Sequence, residues 1–220
     1  MKLVLIRHGQ TAANLSAALD TRLPGLPLTN LGQSQAQSLS ERFSKEVGDR
    51  LDALTVSAMT RTRQTAAPLC TRYGVKPQVS AQIREVSAGD YEMSSSPVAI
   101  RVYVEACYAW MNANFAHRMP GAEDGYEFLG RVVPIIRDVM ERAYRSGGDE
   151  AVGGIVAHGG LIRVLSAVLS EDIRLGVSPT QFMSNTGMAV FEANIHEFRQ
   201  LRIGEVAYLK ALSWDGYQLR

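Results

Sequence analysis

Two short segments constrain this chain more than any other feature. Leu3-Val4-Leu5-Ile6 is a continuous apolar run that delivers Arg7 and His8 side by side, followed by Gly9-Gln10-Thr11. Far along the chain, Ile155-Val156-Ala157 runs into His158-Gly159-Gly160 in the same way. An unbroken apolar run of this kind suits a strand buried on both faces, as in a parallel sheet. In open α/β sheets, ligands bind at the carboxyl ends of such strands. The chain holds 4 histidines in 220 residues, and two of them occupy matching strand-end turns. The expectation is a sheet in which both strands are neighbours and both imidazoles converge on one site.

The intervening pattern alternates apolar runs with helical stretches, which predicts an α/β three-layer sandwich with a mostly parallel central sheet. Thr29 caps a helix that places Gly32, Ala36, Leu39 and Phe43 on one face. Leu54 to Val56 predicts a short strand, followed by a helix from Thr60 to Tyr73 that stops at Gly74. Ser96-Pro97 starts another helix, with Ile100, Tyr103, Cys107 and Trp110 on one stripe. Asp124 and Glu127 form a capping box ahead of Phe128, Val132, Ile135, Val139 and Ala143, with a kink expected at Pro134. Ala151 to Ala157, Met188 to Phe191 and Val206 to Leu209 complete the predicted strands. Residues 1–220 read as one domain, in which the helical stretch at about 91–121 is an insertion covering a site.

Composition narrows the function classes. Hydrophobic content of 46% and charged content of 20% suit a globular chain able to bury a core without disulfides or metal. A net charge of +1 supplies no broad field for nucleic acid or membrane, so any anion site must be a local cluster. Two cysteines, Cys70 and Cys107, make neither a disulfide framework nor a metal motif and read as reduced thiols of a cytoplasmic protein. The opening segment is too short for a signal-peptide core, and no run is long enough to span a membrane. Oligomeric state is not legible.

Metal ligation is the first chemistry that paired histidines suggest. It calls for a third ligand at recognisable spacing, and here the neighbour is Arg7, which repels a cation. Arginine beside histidine suits a phosphate instead, because guanidinium presents planar donors to its oxygens. A neutral imidazole can then attack phosphorus while basic neighbours keep it unprotonated. Taken alone, His8 reads first as a capped, hydrogen-bonded turn histidine; the pairing with His158 reverses that and favours chemistry.

Arg7-His8-Gly9-Gln10-Thr11 followed by Asn14 resembles the signature of the histidine phosphatase superfamily, which includes the cofactor-dependent phosphoglycerate mutases. Four further segments resemble the family in the expected order. These are Pro27-Leu28-Thr29-Asn30-Leu31-Gly32 with Gln35-Ala36, then Ser57 to Ala66, then Arg84-Glu85-Val86 with Gly89 to Glu92, then Val156 to Gly160. The resemblance implies that His8 is the nucleophile that becomes phosphohistidine, and that Arg7, Arg61 and His158 line the phosphate pocket. It also implies that Glu85 protonates the departing oxygen, a task for which Asp90 and Glu92 compete on composition alone. Arg61 opens a helix and can turn toward the pocket, whereas Arg63 faces another way. Asn14, Thr11 and the N–H groups of Gly159 and Gly160 are candidate phosphate contacts, with loop capping as the alternative for the first two.

The implied activity is hydrolysis of a small-molecule phosphate ester, with no metal and no cofactor. A phosphoglycerate-type mutase and a non-catalytic phospholigand-binding module are the alternatives. The mutases carry a Glu-Arg-His-Tyr-Gly segment where this chain has Glu85-Val86-Ser87-Ala88-Gly89, which favours hydrolysis. Met93 stands where the family has glycine, and Gly121-Ala122-Glu123-Asp124 replaces its common Gly-Gly-Glu-Ser. Both departures flank the expected covering region and bear on substrate identity. Trp110 and Phe115 read as packing, and Arg22, His117 and Arg118 as solvated residues or contacts to a polar substrate.

Overall fold

The computed structural model describes residues 1–176, 181–205, 207 and 209–218. In chain order its elements are β1 (Lys2–Arg7), α1 (Ala12–Ser16), α2 (Asn30–Glu46), β2 (Ala53–Ser57), α3 (Thr60–Tyr73), β3 (Gln78–Ser80), α4 (Pro97–Met111) and α5 (Gly125–Gly147). They continue with β4 (Val152–Ala157), α6 (Gly159–Leu169), α7 (Glu171–Gly176), β5 (Met188–Glu192), α8 (Ile195–Gln200), β6 (Lys210–Trp214) and β7 (Tyr217–Gln218). The strands form one sheet in the order β3-β2-β4-β1-β5-β6-β7. The run β3-β2-β4-β1 is parallel, and β5, β6 and β7 add antiparallel strands at the far edge.

The sheet separates two cores, because alternate residues of each strand point to opposite faces. Val4 and Ile6 of β1 and Leu54 and Val56 of β2 meet Leu39 and Phe43 of α2 and Ala66 and Leu69 of α3. Leu3 and Leu5, on the other face, join Ile155, Ala157 and the apolar sides of α4, α5, α6 and α8. The three-layer α/β architecture expected from the sequence is therefore present. Helix α2 starts at its Thr29 cap and buries Gly32, Ala36, Leu39 and Phe43, the four positions its periodicity marked. Helix α6 is buried along its length from Gly160 to Leu169, Arg163 and Ser166 included, and is a core element.

Three expectations need correction. The core stripe of α5 runs through Ile136 rather than Ile135, which is half-buried. Pro134 lies on the exposed side, so its ring and missing N–H leave the buried stripe intact. Of the expected strand Val206 to Leu209, Val206 and Tyr208 lie outside the described residues, Ala207 and Leu209 are not in a strand, and the pairing partner of β5 is β6. In α4, Ala99 is buried and Ile100 only partly so, while Tyr103, Cys107 and Trp110 hold the core face as expected. Among the described residues, no helix is long and apolar enough to cross a membrane.

Candidate active site

Register fixes the heart of the site. Arg7 of β1 pairs with Ala157 of β4, so the next residues, His8 and His158, emerge side by side from neighbouring parallel strands. The His8 N–H donates to Ala157 O (3.1 Å), and the two imidazole centroids lie 5.4 Å apart. Strand β2 flanks β4 on its other side and ends at Ser57, whose Oγ lies 2.8 Å from His158 Nε2. Beyond Ser57 the chain enters α3, which carries Arg61 in its first turn. Arg7, His8, Arg61, Glu85, Thr11, Asn14 and Gly159 all line one cavity of about 150 Å³, and His158 is fully buried against His8 behind it.

The tautomer of His8 follows from its partner. Its Nδ1 lies 2.7 Å from Gly9 O, an acceptor only, so Nδ1 carries the proton and Nε2 keeps its lone pair. Burial holds the His8 imidazole well below the usual histidine pKa, with Arg61 and then Arg7 adding to the shift. His158 is lowered the same way, by burial first and then by Arg61 and His8. Desolvation thus exceeds the arginine field that the sequence suggested as the cause.

A stability consequence follows. Both histidines stay neutral in the folded chain at a pH where the unfolded chain takes up protons below about 6.5. Their contribution is complete above that value and is lost as pH falls toward the depressed folded values. We expect urea unfolding at pH 5.5 to show roughly 2–3 kcal/mol less stability than at pH 8 from this pair, at about 1.4 kcal/mol per histidine. His8→Asn should remove about half of that difference. An unchanged pH slope in the variant would contradict the assignment.

Three buried nitrogens meet here without a hydrogen-bond partner: the donors Arg7 Nε and Arg61 Nε, and His158 Nδ1. A buried N–H without a partner costs about 1–3 kcal/mol, more when charged. Two guanidinium donors from β1 and α3, with an unpartnered imidazole nitrogen at the start of α6, around one cavity, point to an anion as the missing partner. Arg7 also donates to Met183 O, and Arg61 to the Asp20 carboxylate (3.0 Å) and to Asp20 O (2.8 Å), so both guanidinium groups are held in place.

Glu85 occupies the N-terminus of α6. Its carboxylate accepts from Gly160 N (3.0 Å), Leu161 N (2.7 Å) and its neighbour Val86 N (2.8 Å). The Gly160 N–H expected to hold phosphate is therefore taken by Glu85, a substitution the helix dipole favours equally. A side chain on Gly160 would collide with the Tyr103 hydroxyl, which hydrogen-bonds to Glu85. Burial and the Glu85 charge push the Tyr103 phenol well above its ordinary pKa, so it stays a donor. Behind the site, buried Arg131 donates to Gln82 O, Arg84 O and Glu85 O and pairs with Glu123 (2.5 Å), fixing the loop that presents Glu85.

The competing carboxylates are placed elsewhere. Glu92 binds the 21–22 loop, accepting from Thr21 N (2.9 Å), Arg22 N (3.0 Å) and the Thr21 hydroxyl. Asp90 is exposed and does not line the cavity. Thr11 and Asn14 form a reciprocal cap on α1 (3.0 and 3.3 Å), so the capping alternative is present at the cavity wall. Trp110 stacks on Phe128 and Phe115 meets Tyr126 edge to face, as packing residues do. His117 and Arg118 are exposed, Arg118 pairing with Asp124 and Glu127, and Arg22 donates to Gly89 O (3.2 Å). Met93 keeps a left-handed backbone (φ 60°), the conformation glycine favours at that position. Asp20, Tyr103 and Phe182 line the cavity and were not singled out from the sequence as site residues.

Comparison with known proteins places the chain in a family. The family model for the histidine phosphatase superfamily (branch 1) matches residues 3–206. Glucosyl-3-phosphoglycerate phosphatase of Mycobacterium tuberculosis is 31% identical over 173 residues, covering 76% of this chain and 74% of that protein. A PE-PGRS family protein of the same organism is 37% identical over 107 residues, covering 48% of this chain and 18% of that much longer protein. A mycobacterial glucosyl-3-phosphoglycerate phosphatase solved with inorganic phosphate matches with a TM-score of 0.70 at 25% identity, over 98% of this chain and 97% of that one.

Proposed function

The chain belongs to the histidine phosphatase superfamily, and from that premise we propose that it hydrolyses phosphate monoesters of small molecules through a phosphohistidine at His8. The observation that carries the reading is the cluster of three buried, unpartnered nitrogens, two of them guanidinium donors, beside a neutral imidazole. In the first step, His8 Nε2 bonds to phosphorus, the P–O ester bond breaks, and Glu85 gives its proton to the departing alcohol oxygen. Arg7, Arg61 and His158 Nδ1 donate to the equatorial oxygens, where charge accumulates. In the second step, water adds to phosphorus, the N–P bond breaks, and Glu85 takes the water's proton. Nδ1–H···O=C from His8 to Gly9 supports the imidazole as it becomes positive.

Residues 1–220 act in this reading as one domain, with the 91–121 stretch supplying Tyr103 as part of the covering wall. Free Cys70 and Cys107 support a reducing, cytoplasmic setting. Phosphate neutralisation falls to arginine and histidine. Among the described residues, no group of three or more His, Cys, Asp or Glu is arranged to hold a metal ion.

Release of 4-nitrophenol from its phosphate ester, in excess chelator and with orthovanadate as competitor, tests the proposal. We expect turnover unaffected by chelator and competitive inhibition by vanadate, which takes the five-coordinate shape of the transferring group. Activity that vanishes with chelator and returns with magnesium would exclude this mechanism. Persistent inactivity with retained phosphate binding would favour a non-catalytic binding module.

A further inference from the structure

The phosphate end of the cavity is cationic, yet the whole is not. Its described lining includes two cations, Arg7 and Arg61, and two carboxyl side chains, Asp20 and Glu85. Asp20 Oδ2 sits 3.0 Å from Arg61 NH1, and both side chains are more than nine-tenths buried. Asp20 also accepts from Leu26 N (2.9 Å), so it is fixed on the wall. The rest of the wall includes Ala13, Ala18, Leu19 and Phe182. Arg22, next along the loop, donates to Gly89 O and is not among the lining residues.

A phosphate group engages both arginines. A second anionic group on the same substrate would then find no further cation among the described lining residues, only uncharged side chains such as Thr11, Asn14, Thr21 and Leu19, and would share the small cavity with Asp20, where unit charges repel. Building on the phosphatase reading, we propose that this site selects phosphate monoesters of uncharged alcohols and rejects those whose alcohol carries a carboxylate, with Asp20 as the main discriminating residue. The phosphoglycerate named in the matched relative would fall on the rejected side.

The test compares glycerol 3-phosphate with 3-phosphoglycerate, near-isosteres that differ by a hydroxymethyl against a carboxylate. Ionic strength is held constant, because screening would blur the contrast. We expect kcat/KM to favour the glycerol ester by about tenfold or more, a difference of about 1.4 kcal/mol. Asp20→Asn should shrink that ratio several-fold even as it disturbs Arg61 and lowers both absolute rates. Phe182 is half-exposed, so Phe182→Lys is a variant that leaves the core alone, and the cation it adds should shrink the ratio too. A wild-type ratio near one, or one favouring the glycerate, overturns the selectivity and leaves the phosphatase reading standing. A ratio that stays put in both variants overturns the role of wall charge. Hydrolysis of neither ester, nor of 4-nitrophenyl phosphate, removes the phosphatase reading and this inference with it.

Discussion

His8→Ala is expected to lose turnover by about 10⁵-fold or more, the scale seen when a covalent nucleophile is removed. The basis is geometric. His8 Nε2 keeps a free lone pair because its Nδ1 is committed to Gly9 O, whereas His158 Nε2 is engaged by the Ser57 hydroxyl oxygen. No phosphoenzyme should form from labelled substrate under acid-free quench, whereas wild type should label with one phosphoryl group. Folding failure is distinguishable from lost chemistry. The variant removes a buried base and leaves Arg7, Arg61 and His158 in place, so inorganic phosphate should still protect it against thermal unfolding. A labelled His8→Ala protein would move the nucleophile elsewhere, and His158 would be the residue to examine.

The frame of the fold was legible because its signals are local. The α2 cap and face, the α3 limits and the Asp124–Glu127 box each depend on residues within a few turns of one another. Strand-end histidines were legible because a single short run contains both the buried strand and the turn. Two kinds of feature were not. The first are short or edge strands: β3 has three residues, two of them exposed, and β6 lies past the predicted Val206–Leu209 run. Little apolar periodicity marks such segments, and their pairing is set by neighbours distant in sequence.

The second kind is long-range polar pairing. Asp20 meets Arg61 across 41 positions and Glu85 meets Leu161 across 76, so composition alone could not rank them. Glycine supplies a sharper case. Gly9 suggests a strained turn, yet its φ is ordinary; a Cβ there would come within 2.6 Å of Gly32 O. The glycine is required because the loop after β1 lies directly on the start of α2, a contact visible only after folding. Ile135 against Ile136 shows the same limit at smaller scale, since adjacent apolar residues straddle the core face and packing chooses between them.

Glu85→Gln should separate the two chemical steps by leaving group. An alkoxide departs poorly without a proton, whereas 4-nitrophenolate leaves with little help. General acid catalysis contributes about 10²–10⁴-fold, so phosphoenzyme formation from an alkyl phosphate should fall by roughly that factor. Labelling from 4-nitrophenyl phosphate should change far less. The amide keeps one oxygen for the N–H groups of Leu161 and Gly160, so the α6 start should hold, although its NH₂ must avoid a second donor and some local destabilisation is expected. Hydrolysis of the phosphohistidine should slow for both substrates equally, because after the first step the intermediate is the same and the same carboxylate activates water. Single-turnover labelling measures formation and decay apart. An equal loss of labelling for alkyl and aryl esters would take the proton from Glu85. Neither Asp90, exposed and outside the cavity, nor Glu92, bound to the 21–22 loop, is placed to replace it. The Tyr103 phenol, on the cavity wall and hydrogen-bonded to Glu85, would then be the group within reach, and Tyr103→Phe would show the alkyl-selective loss instead.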